Sequence, residues 1–136
     1  MTATKTLYVS NFNDNGSLRN PLPGSLREAI KHGHEFAKDG YAINIAFQTD
    51  KVSEQINLRN SLHFKWGSWS INEGDEAKDI TFNGDNKAAW AININHYIHR
   101  APNQRTNVSI NQINVANFHN TDTGWYEGTI KNYSGS

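Results

Sequence analysis

The chain is predicted to be mainly β, a solenoid of short stacked strands closed at its N-terminal end by a single amphipathic helix. Three observations predict this class. Only Leu26 to Lys38 carries a helical apolar period behind a strong start signal. After Gly40 the chain offers repeated strand-length apolar alternations separated by turn-forming residues. Comparable alternations return at roughly 20 to 30 residues, a period of stacked units more than of hairpins.

The helix is the best-marked element. Ser25 is placed to cap it, and Glu28, three residues on, to reach back to the Ser25 amide, so two otherwise orphaned donors are satisfied. Leu26, Ala29, Ile30, Gly33, Phe36 and Ala37 share one face, whereas Arg27, Glu28, Lys31, His34, Glu35 and Lys38 fall largely outside it. Asp39-Gly40 supplies the stop. A solenoid must hide its apolar end, so Ser25, Leu26, Glu28, Ile30 and Phe36 are read as the structural cap.

Before the helix, Thr6 to Ser10 is strand-like, and Asn11 to Gly24 is a loop dense in Asn, Asp, Gly and Pro. After it, Ile43, Ile45 and Phe47 alternate as a strand does, and Gln48 to Gln55 is a polar connection. Short alternations follow at Ile56-Asn57-Leu58, Leu62-His63-Phe64, Trp69-Ser70-Ile71, Ile80-Thr81-Phe82, Trp90 to Ile94, Val108-Ser109-Ile110 and Ile113-Asn114-Val115. Asn fills many corner or outward positions, where its tolerance of left-handed backbone suits tight turns. His96 to Thr106 reads as an inserted loop. The division expected is one domain over 1–136: opening strand, loop, helix and first strand in 1–47, stacked coils in 48–120, and a tail in 121–136.

Composition excludes several classes of function. Thirteen basic residues balance 13 acidic ones, so no global field draws the chain to nucleic acid. No apolar run reaches the roughly 20 residues that cross a bilayer, and no signal peptide is legible, so membrane insertion is not expected. The absence of cysteine removes disulfides and thiolate metal sites. Mean hydropathy is low at −0.74, yet four Trp, five Tyr and six Phe argue for a folded core.

The opening strand, the Asn/Asp/Gly loop, Gly24-Ser-Leu-Arg-Glu-Ala-Ile30, the strand ending at Phe47, Ile80-Thr-Phe-Asn-Gly-Asp-Asn86 and Val108 to Phe118 together resemble the N-terminal part of polymorphic outer-membrane-protein-like and adhesin-like proteins. Those are right-handed parallel β-helices in which the Gly-Ser-Leu-Arg segment forms a capping helix. The resemblance covers about residues 6 to 120 and departs at Lys65 to Asp79 and His96 to Thr106. It implies a right-handed parallel β-helix with an N-terminal capping α-helix. It further implies a noncatalytic bacterial module, extracellular or at the cell surface, that binds carbohydrate or protein and can be a fragment or cap of a longer protein, the alternative being a polysaccharide lyase-like carbohydrate-active enzyme or a fragment of one. Self-association through the C-terminal coil is expected if that end is uncapped. Pectate-lyase-like polysaccharide lyases resemble the same opening, but no residue here matches their calcium-binding or catalytic motifs, and no catalytic residue is assigned.

Candidate chemistry is sparse. Asp75, Glu76 and Asp79, with Glu73, could offer oxygen ligands to Ca²⁺, but their spacing matches no calcium loop, and a solvated acidic turn is the simpler reading. No cofactor is assigned. His32 and His34, two apart on a helix, face different ways and do not pair on a metal. Nucleophile elbows, phosphate loops and zinc-protease motifs are absent. The aromatics carry more weight, because exposed rings beside Asn, Asp and Arg suit pyranose rings. Trp69 and Trp90 alternate with Ile71 and Ile92 and read as core. Trp66 and Trp125, in turn-rich surroundings, are the candidate sugar platforms, with Tyr126 and Arg100 beside them.

Overall fold

The computed structural model describes residues 3–74, 77–85, 92–94, 106–117 and 128–131, with the side chains of 92–94 and 128–131 left aside. In chain order the elements are β1 (Thr4–Val9), α1 (Leu26–Lys38), β2 (Ala42–Phe47), β3 (Ser53–Asn57), β4 (Leu62–Phe64), β5 (Ser68–Ile71), β6 (Asp79–Asn83), β7 (Ile92–Ile94), β8 (Thr106–Ile110), β9 (Ile113–Ala116) and β10 (Gly128–Lys131). Helix α1 starts and stops where its sequence signals lie. The Ser25 side chain accepts from the Glu28 amide at 3.2 Å. Glu28 Oε1 reaches one residue further back than expected and accepts from the Gly24 amide at 2.9 Å. At the other end the Asp39 and Gly40 amides close on the carbonyls of Phe36 and Ala37, and Gly40 takes a φ of +95°, which glycine adopts without steric cost.

The strands form a five-stranded sheet in the order β1-β2-β5-β8-β10, a three-stranded sheet β3-β6-β9 and a two-stranded pair β4-β7. Every pairing among the described strands is parallel, which rules out an antiparallel meander of those strands. The register stacks like on like: Leu7, Ile45, Ile71 and Ile110 form one row of the large sheet, and Ile56, Phe82 and Val115 form a row of the smaller one. Alternate residues of β2, β4, β5, β6, β8 and β9 are buried, and the buried side chains described for all three sheets and for α1 belong to one core.

The expected right-handed parallel β-helix solenoid is corrected by this arrangement. The described residues form a mainly β fold of small parallel sheets, unequal at five, three and two strands, with one helix of 13 residues. No repeat of constant length runs through them: the chain regains a parallel partner from Ile43 to Trp69, from Leu62 to Ile92 and from Ser68 to Asn107. Solenoids are built from similar structural repeats of about 20 to 45 residues, each touching only its neighbours. Here the helix fills the first connection, between β1 and β2, and a long segment separates β7 from β8. The tail expected over 121–136 also contributes a strand, because β10 pairs with β8 and occupies the edge expected to be open.

Two contacts fasten α1 to this framework. Gly33 lies against the buried Trp69: a methyl group in place of its hydrogen would sit 2.6 Å from two carbons of the indole ring and 3.2 Å from Ile43. Arg27 and Asp14, with side chains 4% and 3% exposed, form an ion pair. The Arg27 guanidinium also donates to the carbonyls of Ser61 and Asn60, and Asp14 accepts the amides of Gly16 and Arg59. Each buried charge is therefore surrounded by hydrogen bonds, the condition under which such a pair is tolerated.

Two substitutions test these contacts. Gly33→Ala adds intrinsic helix propensity yet is expected to destabilise the protein by about 2 kcal/mol, because the methyl meets a ring that cannot retreat. A neutral or stabilising result in urea denaturation would refute the close approach. Arg27→Met should cost roughly 3 to 5 kcal/mol by stranding the Asp14 carboxylate, and the double change with Asp14→Leu should recover a substantial part of that loss.

Candidate functional site

Strand β4 ends at the buried Phe64, and the chain then turns a sharp corner through Lys65, Trp66 and Gly67 before β5. Trp66 and Gly67 take φ values of +61° and +66° in succession. A left-handed conformation is natural for Gly67 but costs about 1 to 2 kcal/mol for a bulky residue such as Trp66. The corner is pinned from below. Trp69 Nε1 donates to the Trp66 carbonyl at 2.8 Å and to the Lys65 carbonyl at 3.1 Å, and the Trp69 indole packs edge-on against Phe64 with centroids 5.1 Å apart.

Helix α1 supplies the opposite wall. Lys31, His34, Glu35 and Lys38 recur at the spacing of one helical flank and, with Leu18, Arg19, Lys65 and Trp66, line an open cleft of about 490 Å³. Lys31 Nζ donates to the Arg19 carbonyl and ties the loop to the helix. The half-buried Trp66 ring has Lys38 Nζ 5.5 Å and Lys65 Nζ 5.7 Å from its centroid, both within cation–π reach. Four cationic side chains thus meet one carboxylate, Glu35, around one aromatic ring.

His34 sits between the two indoles, edge-on to Trp66 at 5.7 Å and to Trp69 at 5.4 Å. Burial pushes its pKa down from the ordinary 6.5 to about 4, assisted by the charges of Lys65 and His63 and opposed by a hydrogen bond with the His63 backbone. Its buried Nε2 has no hydrogen-bond partner among the described residues, so a proton there would be poorly accommodated. His34 is therefore neutral at pH 7 and adds no charge to the cleft.

A second surface is the outward face of the large sheet. Thr6, Asn44, Ser70 and Ser109 lie in register across four strands, with Tyr8 57% exposed at one side. It is a shallow polar face, and Ser109 is already engaged with Glu73 at 2.7 Å.

Of the residues singled out from sequence, Trp66 lines the cleft, and Trp69 is buried in the core. Trp90, Arg100, Trp125 and Tyr126 lie outside the described residues, as do Asp75 and Glu76. Asp79 is exposed on β6 and accepts from Asn114, while Glu73 faces Ser109, so the two are engaged separately. Among the described residues no group of three or more His, Asp or Glu is placed to hold a metal ion. Ser25, Leu26 and Ile30 are buried and Glu28 and Phe36 half-buried, all at the helix–sheet junction. Sequence reasoning assigned Lys31, His34 and Lys38 to a helix flank but missed their meeting with Lys65 and Trp66. Helical spacing marks the first group, but the contact across the cleft is set by tertiary packing. No family model, curated protein or solved structure matches the chain.

The His34 environment makes acid sensitivity a test of this geometry. The unfolded state gains a proton near pH 6.5, and the folded state resists it until about pH 4, so the His34 contribution to stability is full above 6.5 and is lost as pH falls through that window. The loss amounts to about 3 kcal/mol at most. Denaturation of the wild type and of His34→Gln across this range should show their stability difference shifting against the wild type below pH 6.5. A difference that stays flat would show that His34 is not held neutral.

Proposed function

We propose that the chain is a noncatalytic carbohydrate-binding module of surface-associated, adhesin-like type, with its saccharide seated in the cleft beside Trp66. The observation that carries this reading is the indole itself. A large aromatic ring is held half-exposed on a left-handed corner, at a backbone cost, by hydrogen bonds from Trp69 to the carbonyls beneath it. Backbone strain of this kind persists where surrounding structure over-determines it and is concentrated at ligand-binding positions. A ring so fixed offers apolar area at little entropic cost, and the neighbouring Lys31, Arg19 and Glu35 provide polar groups to orient hydroxyls. The reading asks for neither metal nor cofactor, and a place at the cell surface follows from the same proposal.

Retention on a panel of immobilised glycans tests it. Trp66→Gly relieves the left-handed strain and keeps the backbone carbonyl that Trp69 uses. Its melting temperature is expected to stay within about 5 °C of the wild type, while retention falls at least about tenfold. Unchanged retention by the folded variant would remove the cleft from consideration. Unsaturated uronate absorbance on pectin or alginate would replace the binding module with a lyase.

A further inference from the structure

We infer that the saccharide taken by the Trp66 cleft is acidic: a pyranose chain whose carboxylate or sulfate groups pair with Lys38 and Lys65 while one sugar ring lies on the indole. This rests on the carbohydrate-binding reading and adds the chemical class of the ligand. The whole chain is neutral, with 13 charges of each sign, so any preference for anions must be built locally. The cleft does this by gathering Arg19, Lys31, Lys38 and Lys65 around a single carboxylate. The four come from three separate segments: the 11–24 loop, α1 and the β4–β5 corner.

The positions of the two nearest ammonium groups fit this role. Lys38 and Lys65 both lie within 6 Å of the Trp66 centroid, so a sugar on that ring brings its substituents to them directly. A cation–π contact at an exposed site is weak enough to be exchanged for a charge-assisted hydrogen bond to an anionic oxygen. Lys38 is exposed, and its long stem lets the charge move from ring to ligand without moving the helix. The lysines thereby cover the indole before binding and clasp the ligand afterwards. Neutral His34 keeps the wall behind them from adding a charge that would depend on pH in the neutral range.

The test uses the full chain in titration calorimetry at low salt with four probes: an oligogalacturonide, a heparin-derived oligosaccharide, a neutral maltodextrin and polyglutamate. At least one acidic saccharide is expected to bind about tenfold more tightly than the maltodextrin, with the gap closing as salt screens the lysines. The double variant Lys38→Gln, Lys65→Gln should lose most of that gap, whereas Trp66→Gly should weaken acidic and neutral sugars alike. Maltodextrin binding as tightly as both acidic probes overturns the acidic preference, and a gap that survives the double change overturns its assignment to Lys38 and Lys65; either leaves the carbohydrate reading standing. Polyglutamate binding as tightly as the acidic sugars, or no saccharide binding at all, overturns both.

Discussion

The contact between Gly33 and Trp69 is the constraint on which the rest of this structure depends. A missing side chain on the helix lets α1 settle directly on an indole that belongs to the large sheet. That indole in turn presses on Phe64 and His34 and uses its one polar atom to hold the carbonyls of Lys65 and Trp66. Core packing and the surface cleft are therefore parts of one chain of contacts. The half-buried ring that lines the cleft rests on a corner whose carbonyls are held by the buried ring of Trp69.

The Arg27–Asp14 pair does for the loop what Trp69 does for the sheets. It joins the 11–24 segment, the helix and the 59–61 corner through a buried ion pair whose remaining hydrogen-bonding capacity is spent on backbone groups. Corners elsewhere are secured by amides. Asn72 is buried in a left-handed conformation, donates to the carbonyls of Lys78 and Asn111 and accepts the Lys78 amide, while Asn111 donates back to the Asn72 carbonyl. Asn117, also left-handed, reaches the Asn83 side chain in the adjacent turn. The asparagine excess thus has a physical use: short strands need many sharp corners, and each corner exposes backbone groups that an amide side chain can satisfy.

Local signals were legible in the sequence to the extent that local physics decides them. The helix lies where Ser25, Glu28 and Asp39-Gly40 place it, and the alternations at Leu62, Trp69, Ile80, Val108 and Ile113 fall in strands, whereas the strand at Ile56 begins at Ser53, inside the expected polar connection Gln48 to Gln55, and ends before Leu58. The capping glutamate differs by one residue, because Gly24 rather than Ser25 presents the free amide. What could not be read was how the strands divide among sheets. A run such as Leu62-His63-Phe64 carries its alternation but not the identity of its partner, and unequal connections produced unequal sheets where an even solenoid was expected. Gly128 to Lys131 has too little apolar character to announce a strand, and its pairing with β8 comes from the edge that β8 offers. The cleft was half legible: Trp66 stood out as an aromatic in a turn, but its left-handed backbone and its meeting with Lys31 and Lys38 depend on where Trp69 sits.

His34 shows how burial and charge are kept apart at this site. An imidazole placed between two indoles contributes packing area and a hydrogen bond with the His63 backbone, yet its depressed pKa denies it a charge at neutral pH. Had it been exposed, it would have gained charge on mild acidification beside Lys65, and the field of the cleft would have risen with it. Because its proton is taken up only near pH 4, His34 adds no charge to the cleft over the neutral and mildly acidic range. The same burial that makes His34 a liability at low pH lets it fill the space between two indoles as an uncharged ring.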